Sequence, residues 1–314
     1  MSMLTKPYFH DEAKAYEHLE AVLWPNGPVC PHCGVIGAST KLQGESTRPG
    51  LYKCNACRKQ HRVTVGTVFE SAHIPLNKML QAVYLMSASK KGISAHQMHR
   101  TLGVTYKSAW FLCHRIREAM RDGSLAPMGG AGQIVEVDET PMGKQEGAPK
   151  HLRPEYGGWN FRNIVVTLVE RGGPARSFHV DNRTIAELGK IIRENIHRET
   201  RLMTDDWIAY KSIGAHFASH ETVKHADDEY VRGDAYTNTV EGYYSIFKRG
   251  MKGVYQHCKE KHLHRYLAEF DFRYSNRIRL GVGDEERATR ALKGIQGKRL
   301  TYREPSAAWR ASAS

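Results

Sequence analysis

The sequence predicts an α/β protein in which two small modules precede a larger mixed-sheet domain, and three observations carry that expectation. Two Cys-x2-Cys pairs mark a compact metal-held module near the start. An apolar pattern of helical period, interrupted at Gly92 and at Gly103-Val104-Thr105, follows as three helices. From Gln133 onward, short alternating runs give way to amphipathic helices, the mixture expected of an α/β domain.

The chain of 314 residues has room for two or three units, each with its own core. No stretch approaches the ~20 apolar residues of a membrane span. The first 25 residues contain acids and lack the apolar run of a secretory signal, which points to a reducing, cytoplasmic setting. Charge is unevenly spread. Residues 75–122 carry 8 Lys/Arg against 2 Asp/Glu and residues 248–314 carry 16 against 7, whereas residues 123–247 carry 14 against 18. Basic flanks around a mildly acidic middle suit a polyanion, because each phosphate contact releases counterions. A basic surface that only keeps the chain soluble is the plainer reading of the same charge.

These patterns divide the chain into an N-terminal helical segment (1–24), a zinc ribbon (25–74), a three-helix region (75–122), a Gly-rich linker (123–132), an α/β domain (133–280) and a basic C-terminal tail (281–314). In the ribbon, Cys30 and Cys33 form one knuckle, and Cys54 and Cys57 form the other. Each knuckle aims two thiolates at one point, and together they supply the four soft ligands of one structural Zn2+. His32 and His61 are nearby nitrogen donors, but four cysteines already close a tetrahedral shell. Cys113 and Cys258 stand alone and are read as ordinary thiols.

In the three-helix region, Leu76, Met79, Leu80, Val83 and Met86 recur at helical spacing. Ser94 can cap a short second helix, and Ala109, Leu112, Cys113, Ile116 and Met120 form the stripe of a third. A short helix, a Gly turn and a basic helix make a helix-turn-helix, whose last helix enters a DNA major groove. Thr105, Tyr106, Lys107 and Ser108 would then reach bases or phosphates, with His114, Arg115 and Arg117 flanking them. A bundle used only for packing or dimerisation fits the same pattern.

The α/β domain carries the chemistry. Around Asp138, Val135 and Val137 fall on one strand face, with Glu136 and Asp138 on the other. Two more strands, over 159–170 and 174–181, are expected to run antiparallel. A helix over 184–197, with Ile185, Leu188, Ile191 and Ile192 inward, precedes a short strand ending at Asp205 and a helix near 207–213. A helix over 237–250 then sets Asn238, Glu241, Ser245 and Lys248 on one face. This is a ribonuclease H-like layout with acids at strand ends and on a late helix. Such a set suits two divalent cations that activate an attacking oxygen and stabilise a leaving one. Any single acid is more often solvated, as Glu136, Glu139 and Asp206 are read to be.

VEVDET, LMTDDW with Tyr210, and TNTVEGYYSIFKRG followed by HLHRYLAEFDFRY resemble the DDE transposases of insertion sequences, and more narrowly those of the zinc-ribbon ISXO-two-like type. The resemblance runs from about Pro25 to Arg277. It implies Asp138, Asp205 and Glu241 as ligands of two Mg2+ or Mn2+ ions, with 35 residues between the last two. It also implies Lys248 as a phosphate contact, and Asn238 stands where members of this group carry asparagine as the third element. Glu241 is favoured because a carboxylate neutralises Mg2+ better than an amide does. Lys144, Lys150 and Arg153 are further candidates for lying near DNA.

The implied activity is binding of double-stranded transposon ends, metal-dependent strand cleavage and transfer to target DNA, by a homo-oligomer associated with a bacterial nucleoid and with no membrane. A nuclease without joining activity and a non-enzymatic zinc-ribbon/helix-turn-helix regulator are the alternatives.

Overall fold

The structure is a computed structural model that describes residues 3–123, 126–147, 161–223 and 233–301. It forms two compact units, one from residues 1–89, 93–121 and 283–314 and the other from residues 90–92 and 122–282. Among the described residues no helix is long and apolar enough to cross a membrane.

The first unit opens with helix α1 (Glu12–Leu23), capped by Asp11, whose carboxylate accepts the Lys14 N–H at 2.8 Å. A small antiparallel sheet follows, with β1 (Ser39–Lys41), β2 (Tyr52–Cys54) and β3 (Gln60–His61) in that spatial order. Helices α2 (Leu76–Ala88), α3 (Ala95–Leu102) and α4 (Tyr106–Met120) complete this stretch. Ser94 caps α3 by accepting the Gln97 N–H, and Thr105 caps α4 by accepting the Ser108 N–H. Between them Gly103 takes φ +62, a left-handed C-cap that favours glycine.

The expected stripe of α4 is buried. Burial goes further than the stripe, because His114, Arg115, Arg117 and Glu118 are enclosed as well. Only the first turn of α4, at Tyr106 and Lys107, is exposed.

The second unit is built on β4 (Ile134–Lys144), β5 (Arg162–Glu170), β6 (Ala175–Val180), β7 (Arg201–Asp205) and β8 (Ser219–Val223). Their order in the sheet is β6-β5-β4-β7-β8. The first three run antiparallel, while β7 pairs parallel with both β4 and β8. Helices α5 (Ile185–Asn195) and α6 (Ile208–Gly214) supply Leu188, Ile192, Tyr210 and Ile213 to a core on one face with Val135, Val137 and Val166. Helices α7 (Asn238–Gly250) and α8 (Leu263–Ser275) supply Val240, Tyr244, Phe247 and Phe270 to a core on the other face with Val165 and Val169. β4 is therefore a central strand covered on both faces.

That double cover corrects one expectation. Glu136 and Glu139 are not solvated acids: Glu136 is 0% exposed and Glu139 is 6%. Alternation along β4 separates its faces without opening either to water. Asp206 is exposed, as read. Ile185 is 51% exposed instead of inward, because it opens α5. Strand β8 went unread, since Ser-His-Glu-Thr-Val on a sheet edge carries little apolar alternation. In the Gly-rich stretch, Met128 is buried and bridges Ile196, so part of that linker belongs to the domain.

The basic tail is also corrected. Residues 284–293 form helix α9 (Asp284–Lys293), which belongs to the first unit. Ala291, Leu292 and Ile295 are buried, and the Val68 N–H donates to the Ile295 carbonyl at 3.1 Å. Arg287 donates to the Ser87 carbonyl at 3.0 Å. Three acids in its first turn and Arg290 and Lys293 in its last complement the helix dipole. The first unit is thus discontinuous in sequence, and residues 25–122 alone lack both α1 and α9.

Candidate functional site

The four ribbon cysteines converge. Cys30 Sγ lies 3.6 Å from Cys57 Sγ, and Cys33 Sγ lies 3.7 Å from Cys54 Sγ. All four sulfurs fall within 4.8 Å of one another. A tetrahedron with ~2.3 Å Zn–S arms has an edge of ~3.8 Å, so the donor set fits zinc in size and in chemistry. The Cys57 N–H aimed at Cys54 Sγ draws that thiol down to about 6, toward the thiolate a metal needs. The two neighbouring histidines are engaged elsewhere. His61 Nε2 lies 2.9 Å from Ser39 Oγ, and His32 Nε2 lies 3.3 Å from the Gln60 carbonyl.

The acidic set assembles in the second unit. Parallel pairing of β4 with β7 runs Ile134–Arg201, Val135–Leu202 and Glu136–Met203. Asp138 and Asp205 each lie two residues beyond the last of these pairs, Asp138 within β4 and Asp205 at the end of β7, close enough for Asp205 to act on the Asp138 carboxyl. Asp205 turns the chain, accepting the Trp207 N–H at 3.2 Å. From the α7 side Glu241 also acts on Asp138. The Asp138 carboxyl is pushed up to about 8, first by burial, then by Glu139 and Asp205, with Glu241 adding to the effect.

Lys248 is half-buried on α7, and burial holds its ammonium below the usual lysine range, while Asp138 pulls the other way. Asn238 is the first residue of α7 and is exposed. Among the described residues, the cysteines are the only group of three or more potential ligands whose donor atoms all lie within 4.8 Å. The three acids are electrostatic neighbours without forming a closed cage. Their mutual repulsion is the property that a divalent cation relieves.

Residues 130–275 match the ISXO2-like transposase domain, and residues 10–60 match the transposase zinc-ribbon domain. Over both stretches the chain is thus similar to transposases, the longer stretch covering just under half of its length. An uncharacterized protein in transposable element ISH50 of Halobacterium salinarum is 26% identical over 278 residues, covering 84% of this chain and 91% of that protein. Among solved structures, a chain of the simian T-cell lymphotropic virus intasome in complex with PP2A regulatory subunit B56 gamma matches 55% of this chain. Identity there is 15%, the TM-score is 0.30, and this chain spans 63% of that one's length. A likeness that slight carries no argument about the fold.

The DNA-facing expectations divide. Lys107 is exposed at the start of α4. Thr105 and Ser108 share a 2.9 Å hydroxyl contact as part of the cap. Arg115 is only 9% exposed, and its guanidinium lies 4.8 Å from the Phe111 ring centroid. It is a packing residue, as are the enclosed His114 and Arg117, because α4 is surrounded after its first turn. Lys144 is exposed at the end of β4, while Lys150 and Arg153 lie outside the described residues.

Several polar groups escaped the sequence reading. Glu139 accepts from Arg183 at 3.0 Å and from the Tyr210 hydroxyl, and Arg183 also stacks over Trp207 at 4.1 Å. Asp271 on α8 accepts from the Ser177 N–H and hydroxyl and from Tyr243, tying α8 and α7 to β6. Period-two alternation already set Glu136 on the face of Asp138. Nothing in the sequence singled out Arg171, which donates to Glu136 at 2.6 Å.

Proposed function

We propose that this chain binds the ends of an insertion sequence and catalyses metal-dependent strand cleavage followed by strand transfer. The observation that carries the reading is the pairing of β4 with β7, just beyond which Asp138 within β4 and Asp205 at the end of β7 act on each other, with Glu241 acting on Asp138 from α7. The strand order β6-β5-β4-β7-β8, with its first three strands antiparallel and β7 and β8 parallel to β4, supports a ribonuclease H-like catalytic domain. Helices α2 to α4, with exposed Lys107 opening the last, support a helix-turn-helix that holds DNA. Similarity to the ISXO2-like transposase domain and to a protein in a transposable element supports transposon ends as that DNA.

Asp138, Asp205 and Glu241 would hold two Mg2+ or Mn2+ ions, which when bound activate the attacking oxygen and stabilise the leaving one. In cleavage a water oxygen bonds to phosphorus, and the bond from phosphorus to the 3′-oxygen breaks. That leaves a 3′-hydroxyl on the element and a 5′-phosphate on the flank. In transfer the new 3′-hydroxyl attacks a target phosphodiester, again displacing a 3′-oxygen. Lys248 beside the acids would hold a backbone phosphate, and Asn238 would help orient the strand. No side chain is required as a nucleophile.

The test is an assay of end cleavage and joining with full-length protein. Asp138→Asn, Asp205→Asn and Glu241→Gln should each abolish both steps while end binding persists. Cleavage without any joined product from the wild-type chain would make it a nuclease. Full activity of Asp138→Asn or Asp205→Asn would remove the acidic site from the reaction. Full activity of Glu241→Gln with none in Asn238→Ala would move the third role to Asn238.

A further inference from the structure

Helix α7 carries Glu241, yet the residue at its own N-cap, Thr237, makes no side-chain cap. The cap comes from another element. Glu136 of β4 accepts the Thr239 N–H at 2.8 Å and the Val240 N–H at 3.0 Å on Oε2. Its Oε1 accepts the Thr239 hydroxyl at 2.8 Å and Arg171 Nε at 2.6 Å. Two donors therefore meet each oxygen of a carboxylate that is 0% exposed.

Arg171 reaches past Glu136 to the chain entering the helix. It donates to the Asp234 carbonyl at 2.9 Å and the Tyr236 carbonyl at 2.8 Å, and its guanidinium lies 3.4 Å from the Tyr236 ring centroid. The first turn of α7 and the segment before it are thus fixed to one buried ion pair.

We propose that Glu136 is a positioning residue for the acidic site: by seating the first turn of α7, it sets Glu241 opposite Asp138 and Asp205. The spacing explains how. Glu136 and Asp138 share one face of β4, two residues apart, and Glu241 lies in the first turn of α7, where its Oε1 accepts the Thr237 hydroxyl at 2.9 Å. Pinning Glu136 to Thr239 and Val240 fixes that turn, and Glu241 with it, against β4. A carboxylate does this with directional bonds, where an apolar residue would leave α7 free to slide or turn. An unpaired buried carboxylate costs heavily, so four donors, one of them a cation, describe a site that holds only one arrangement well.

This inference rests on the reading of Glu241 as part of a metal site, and the experiment separates the two. Full-length Glu136→Gln keeps the side chain's shape but loses the charge that Arg171 and the helix N-terminus meet. Mn2+ binding is followed by titration calorimetry, and amide hydrogen exchange reports the first turn of α7. We expect Mn2+ affinity to fall by about tenfold or more, the scale for residues that orient metal ligands. Exchange at Thr239, Val240 and Glu241 should rise, while end binding and zinc content hold.

Folded Glu136→Gln with wild-type Mn2+ affinity and protected α7 amides would overturn the role. Should Glu136→Gln fail to fold, Arg171→Lys decides by the same two readouts: weakened Mn2+ binding with faster α7 exchange supports the role, and unchanged values sink it. Glu241→Gln that binds Mn2+ like wild type would instead count against the metal site itself.

Discussion

The Tyr244 hydroxyl donates to the backbone carbonyl of Asp138 at 2.7 Å and lies 3.1 Å from the carbonyl of Val165. Tyr244 is one helical turn beyond Glu241 and is buried, so this bond ties α7 to β4 at the level of the candidate site. Tyr244→Phe keeps the ring and its packing while removing the donor. We expect a loss of about 1–2 kcal/mol in urea unfolding, because buried acceptors lose a partner. An unchanged midpoint would show that the hydroxyl contributes nothing there.

Lys107 and Arg115 should behave differently although both are basic and on α4. Lys107 is exposed, so Lys107→Ala should weaken end binding and flatten its salt dependence by ~1 for a lost phosphate contact. Arg115 is enclosed against Phe111, so Arg115→Ala should lower the unfolding temperature and leave the salt slope unchanged. Binding assays across a series of salt concentrations, with a thermal melt of each variant, separate the two. A reduced slope in Arg115→Ala would place its guanidinium on DNA.

One Zn2+ per chain should copurify, because four sulfurs already stand close to tetrahedral spacing. Cys54→Ser combined with Cys57→Ser should abolish it, as measured by metal analysis. The mutated ribbon should become protease-sensitive, since metal binding free energy is folding free energy in so small a sheet. Full zinc occupancy in the double variant would refute the ligand set.

What the sequence made legible follows from how local each signal is. The knuckles are set by spacing within four residues, and the cap at Ser94 by the residue beside the helix, so both were readable. Alternation placed Asp138 and the strands around it, and helical period placed Glu241 and Lys248. The failures are non-local. Arg115 looks like a groove contact until α4 is known to be enclosed, and Glu136 looks solvated until helices cover both faces of β4. Helix α9 was lost because its few apolar residues only make sense against a core laid down some 200 positions earlier in the sequence.

The return of α9 makes a sharp expectation. Leu292 and Ile295 are 4% and 0% exposed within the first unit. Leu292→Ala should cost about 2–5 kcal/mol, the range for a large-to-small change in a core. Truncation after Val282 should unfold the first unit and abolish end binding, although no expected DNA contact is removed. Chemical unfolding and limited proteolysis check both. A truncated chain that still melts cooperatively and binds ends would return 283–314 to the status of a tail.

The acidic site should bind metal more tightly as pH rises. Burial, Glu139 on the same strand, Asp205 on β7 and Glu241 on α7 push Asp138 up to about 8, with Lys248 on α7 opposing them. Below that value the metal-free chain keeps a proton on Asp138, and a divalent cation must displace it. Affinity for Mn2+ should climb by about tenfold per pH unit from 6 toward 8 for one displaced proton, then flatten. The same shift acts on stability with the opposite sense. A carboxyl with a raised folded value favours the folded state fully below its unfolded value near ~4, and that contribution is lost as pH rises through about 8. Metal-free protein should therefore lose stability over that window, and Asp138→Asn should lose less. Calorimetry at pH 7 in two buffers of different ionisation heat counts the protons released on Mn2+ binding, and about one is expected. Tight binding with no proton released, or an equal pH slope in Asp138→Asn, would show that Asp138 is not the group the metal deprotonates.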